Sequence, residues 1–144
     1  MTATVIENPL LIGQGLPPFE KIKSEHVIPA MTELLEELDS ELTQLETNLT
    51  PTWSGLVEPL TRLEERLNWS WGIVAHLMSV KNSPELRQAY ETIQPQVVQF
   101  YTKLSQSQAI YQAFKTFRES DTWSSLEPAQ QRIIEAAIRD AELS

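Results

Sequence analysis

A protein metal site needs three or four nitrogen, sulfur or oxygen donors converging on one ion, and this chain has two histidines and no cysteine. His26 is followed by Val27 and His76 by Leu77, so neither opens a His-Glu-x-x-His motif. A site shared between two approaching helices is the one arrangement that would unite them. The plainer alternatives are a first-turn histidine close to solvent for His26 and a helix-face histidine with a hydrogen-bond partner for His76. Disulfides, thiolate metal sites and cysteine nucleophiles are excluded in this chain.

The carboxylates fare no better. Glu36-Glu37 and Glu64-Glu65 are adjacent pairs, and neighbours on a helix point about 100° apart rather than at each other. General acid–base work needs two carboxyls facing across a cleft with separated pKa values. The pairs read as a solvated acidic face, with a contact surface for a cation or basic peptide as the alternative. No serine lies in Gly-x-Ser-x-Gly, and a serine nucleophile needs a positioned base. Gly13-Gln14-Gly15 lacks the strand, the third glycine and the helix of a nucleotide loop, and reads as a flexible turn. No catalytic or metal-binding residue is therefore assigned, and no substrate-binding residue is identified.

The elements around these residues are helical. Residues 1–23 read as an extended leader: Asn8-Pro9 and Leu16-Pro17-Pro18-Phe19 disfavour helix, since proline restricts itself and its predecessor. Its apolar residues, Leu10, Leu11, Ile12, Leu16, Phe19 and Ile22, are expected to lay it on a surface, with a frayed tail as the alternative. The first helix is predicted from Ser24 as N-cap, with an irregular start around Pro29. Its inward stripe is Met31, Leu35, Leu38, Leu42, Leu45 and Leu49, spaced four and three. Glu33, Glu36, Glu37, Asp39, Glu41 and Glu46 lie opposite, with no basic residue between them.

The second helix is predicted from about Thr52 to Val80, bent at Pro59 and weakened at Gly72. Its stripe is Trp53, Leu56, Leu60, Leu63, Leu67, Val74 and Met78. Ser83-Pro84-Glu85 starts a third helix, with Leu86, Tyr90, Ile93, Val97, Phe100 and Leu104 inward and a kink at Pro95. A fourth covers Gln108 to Arg118, with Ile110, Phe114 and Phe117 inward. A fifth runs from Pro128 to Glu142, with Ile133, Ile134, Ala137 and Ile138 inward. Long helices with short connections imply an all-α antiparallel bundle of about five helices, residues 24–144, behind the leader. Trp69 and Trp71 point about 200° apart on one helix. Either the buried face is broad there, or one ring covers a neighbouring element or a docking polypeptide.

The 144 residues include 41% hydrophobic and 22% charged residues, an ordinary globular balance. The formal charge of −9 is uneven: residues 1–72 hold 4 basic and 12 acidic residues, residues 73–144 hold 7 and 8. Nucleic acid and membrane surfaces would repel the first half. Met1 to Lys23 shows no secretory pattern, and no stretch approaches the ~20 apolar residues of a membrane span. A reducing compartment fits, and the cytoplasm is the expected location.

The run Ala75-His76-Leu77-Met78-Ser79-Val80-Lys81-Asn82-Ser83-Pro84-Glu85-Leu86-Arg87, followed by Ala89-Tyr90-Glu91, resembles the amino-terminal region of the thimet-oligopeptidase-like (M3) zinc metallopeptidases. Asn8-Pro9-Leu10-Leu11, Leu16-Pro17-Pro18-Phe19, Glu25-His26-Val27, Arg139-Asp140 and Glu142-Leu143-Ser144 agree in order along the whole chain. The resemblance implies a parent several times longer, largely helical, with two halves framing a deep channel that admits short unstructured peptides. It implies zinc held by a His-Glu-x-x-His helix and a downstream glutamate, the motif glutamate activating zinc-bound water. None of those residues maps here, so no zinc is expected in this chain. The expected partners are the catalytic remainder of the polypeptide and short peptide substrates, with self-association of the separated piece. The chain then reads as a piece of a longer protein, a non-catalytic domain walling the channel. A stand-alone acidic helical interaction module is the alternative that the stripes alone permit.

Overall fold

The computed structural model describes residues 8–143. Its elements follow from local chemistry. Asn8 caps the turn Pro9–Leu11, its side chain accepting from the Leu10 N–H at 3.1 Å. A second short turn, Phe19–Lys21, precedes the first long helix. The described leader is thus a pair of 3₁₀ turns joined by irregular chain rather than a uniformly extended strap.

Helix α1 spans Ser24–Asn48. Its N-cap is Lys23, one residue before the expected Ser24. The Lys23 N–H donates to His26 Nδ1 at 2.9 Å, and the His26 N–H donates to the Lys23 carbonyl at 2.9 Å. Pro29 does not disturb the start: the helix runs unbroken through it. Pro29 and Glu25 are both exposed, so the Glu25 carbonyl that loses its helical donor faces water.

The second helix starts at Thr52, as expected, but through a different turn. Trp53–Val57 forms a π-type turn capped by Thr52, whose Oγ1 accepts from Gly55 N–H at 3.0 Å. A Cβ on Gly55 would lie 1.8 Å from Thr50 Oγ1, so any larger residue there requires the Thr50 side chain to move. Helix α2 then spans Glu58–Lys81. Pro59 occupies its second position, where a missing N–H is harmless. Gly72 is exposed and does not interrupt the helix. Helix α3 spans Pro84–Ser105, capped by Ser83 Oγ accepting from Leu86 N–H at 3.1 Å, and it too continues through its proline, Pro95. Helix α4 spans Gln108–Arg118 with Ser107 as cap. A turn at Trp123–Ser125 leads to α5, Pro128–Leu143. No strand occurs among the described residues.

The stripes meet in one core. Met31, Leu34, Leu35, Leu38 and Leu42 of α1 face Leu63, Leu67 and Val74 of α2 and Ile93, Val97 and Phe100 of α3. The contacts Asn68–Tyr101 and Trp71–Tyr90 give α2 and α3 opposite directions. Helices α1 and α3 run parallel, with Asp39 beside Lys103. The five-helix all-α bundle expected from the spacing is present. Leu45, Leu49, Trp53, Met78, Tyr90, Leu104 and Ala137 are only partly buried at its margins. One inward expectation fails: Ile133 is 52% exposed, because α5 seals against the rest through Ile134 and Ile138 on an adjoining face.

Candidate functional site

The two histidines serve the leader. His26 Nδ1 caps α1, and its carbonyl accepts from Asn8 Nδ2 at 3.2 Å. His76 lies on the exposed side of α2 with its ring 5.1 Å from that of Phe19. Among the described residues no three histidine, aspartate or glutamate side chains group to hold a metal ion. With one His26 ring nitrogen already accepting a backbone hydrogen bond, the donor set does not fit zinc.

The carboxylates of α1 do more than face water. Glu37 and Glu41 meet Arg66 of α2 at 3.7 and 2.6 Å. Asp39 meets Lys103 of α3 at 3.0 Å. Glu46 accepts from Ser107 Oγ, at the cap of α4. The acidic face lacks basic residues in sequence, and the fold supplies them from neighbouring helices. The tryptophans divide in the same manner. Trp69 Nε1 donates to the Gly15 carbonyl at 3.0 Å, covering the leader. Trp71 stacks on Tyr90 at 4.7 Å, covering α3. Gly13 and Gly15 both have φ near +80°, a region costly for a residue with a Cβ. Their turn is specified by backbone geometry and needs no nucleotide.

A cavity of about 580 Å³ lies among the π turn, α2, α3, α4 and α5. Its walls include Leu60, Val98, Tyr101, Phe114, Ile133 and Ala137, with Glu64 and Asp140 as its charged residues. Burial pushes the Glu64 carboxyl above its ordinary value. Burial, then the Glu64 charge, raises the Tyr101 phenol. The Tyr101 hydroxyl donates to Asn68 Oδ1. Tyr111, also on the wall, donates to Glu142 at 2.6 Å, and that hydrogen bond is the main reason its phenol is raised. No histidine is among the residues that line the cavity. Periodicity alone did not reveal this groove, although Ile133 beside Ile134 was its signal: both cannot point into one narrow stripe.

A family profile described as the neurolysin/thimet oligopeptidase amino-terminal domain matches residues 31–144. The chain belongs to that family. A probable cytosolic oligopeptidase A from Arabidopsis thaliana is 48% identical over 141 residues, 98% of this chain and 20% of that protein. The organellar oligopeptidase A of the same plant, named as chloroplastic and mitochondrial, is 48% identical over 97% of this chain and 18% of its own length. Oligopeptidase A of Escherichia coli is 40% identical over 95% of this chain and 20% of its own. The chain therefore spans about a fifth of the curated relatives it matches. No helix among the described residues is long and apolar enough to cross a membrane.

Proposed function

We propose that this chain is the non-catalytic, amino-terminal helical domain of a zinc-dependent oligopeptidase that hydrolyses short unstructured peptides. One observation carries the reading: an amino-terminal domain profile covers residues 31–144, within a match that spans about a fifth of the oligopeptidases. Zinc and the residues that bind it belong to the remainder of the parent, consistent with a donor set here that does not fit the ion. The domain forms part of the wall of the substrate channel. Residues 24–144 make its helical body, and residues 1–23 make its leader. The cytoplasm is its place of work, in keeping with the relative named as cytosolic.

The test compares the purified chain with the parent polypeptide on a quenched short peptide. The chain should not cleave it even with added zinc, whereas the parent should cleave it and lose activity to a chelator. Zinc-dependent cleavage by the chain alone, or a parent indifferent to chelation, defeats the proposal.

A further inference from the structure

The groove among α2, α3, α4 and α5 has the form of a helix seat. On α3 its wall is Val98, Tyr101, Thr102, Leu104 and Ser105, two turns of one flank of that helix. On α5 the wall is Ile133, Ala137, Asp140 and Ala141, at spacings of four, three and one. Each set is a ridge along one helix face, and the space between two such ridges accepts the ridge of a third helix. The seat is open: Val98 is 56% and Ile133 52% exposed. Both charged residues of the lining, Glu64 and Asp140, are acidic, and neither has a cationic partner among the described residues.

We infer that this groove seats an amphipathic helix from the remainder of the parent polypeptide, with a lysine or arginine of that helix against Glu64 and Asp140. The inference rests on the proposed function, because it requires a parent with further chain. The relatives are about five times longer than their match to this chain, so a covering segment in the same polypeptide is available at high effective concentration. The two acids select a basic flank. The apolar walls, Val98, Leu104, Phe114 and Ile133, take the apolar face.

The chain contains no cysteine, so an introduced thiol reports one place within it. Ile133→Cys and, separately, Val98→Cys are placed in the parent, and alkylation of the peptide carrying each is followed by mass spectrometry. Labelling should be at least tenfold slower in the native parent than in urea, at every protein concentration tried. Native labelling as fast as in urea overturns the inference. Protection that fades on dilution assigns the groove to a second copy and also overturns it. Glu64→Lys should lower the parent melting temperature more than Glu65→Lys, the adjacent exposed position that does not line the groove, and equal shifts remove the cationic contact. Peptide hydrolysis measured on the same preparations keeps the readings apart. An active parent with fast labelling refutes the groove assignment alone, and a zinc-independent parent refutes the proposed function.

Discussion

Ser70 Oγ donates a 2.7 Å hydrogen bond to the carbonyl of Leu10, sixty residues earlier in the chain. Ser70 is 2% and Leu10 0% exposed, so the bond lies in the core and ties the leader to α2. Ser70→Ala leaves the Leu10 carbonyl without its buried donor, a loss of about 1–3 kcal/mol. Leu10→Ala removes a buried side chain and should cost about 2–5 kcal/mol. Urea unfolding of the two variants measures both, and wild-type midpoints would show that the leader is not anchored in this way.

The turn before Trp69 reaches its place through glycine. Gly15→Ala puts a Cβ at φ +80° and should destabilise by about 1–2 kcal/mol. A Cβ there would meet nothing within 4 Å, so the loss is one of backbone conformation alone. Gly15→Asn should recover part of the stability, because asparagine tolerates that region better. Thermal unfolding orders the three proteins. A fully stable alanine variant refutes the reading.

Arg66 between Glu37 and Glu41, and Lys103 beside Asp39, are exposed pairs. Each should contribute no more than about 1 kcal/mol, and less as salt shortens the screening length. A double-mutant cycle on Arg66 and Glu41 at low and high ionic strength measures the coupling. A large, salt-insensitive coupling would contradict the exposed geometry.

Glu64 carries a pH signature. Burial holds its folded pKa above the unfolded value, so its contribution to stability is complete below the unfolded pKa and is lost as pH rises through the folded one. Glu64→Gln should therefore make the separated chain more stable at pH 7, and that advantage should vanish on acidification to below about pH 4. The gain is small because water still reaches the carboxylate. Chemical denaturation across pH checks the sign. A variant less stable at pH 7 would show a favourable partner for Glu64 inside this chain.

Helix positions were legible because their signals are local. Ser83-Pro84-Glu85 and Ser107 place starts through capping, which acts within one turn, and the four-and-three spacing of Leu35, Leu38 and Leu42 marks a face wherever the helix lies. Pro29 and Pro59 look disruptive in sequence, yet one sits near a solvent-facing helix start and the other directly after a π turn. The groove was not legible, since an apolar residue on a helix flank reads the same whether covered or open.

The sequence by itself determined an all-helical chain with two histidines, no cysteine and no nucleophile motif, because composition and short-range spacing settle those matters. Only the tertiary structure decided the rest. It gave the acidic side of α1 its counter-ions from Arg66 and Lys103, sent Trp69 to the leader and Trp71 to Tyr90, and buried Leu10 beneath Ser70. Each of these contacts joins residues distant in the chain, and the pattern of one helix carries no information about which neighbour its flanks will meet.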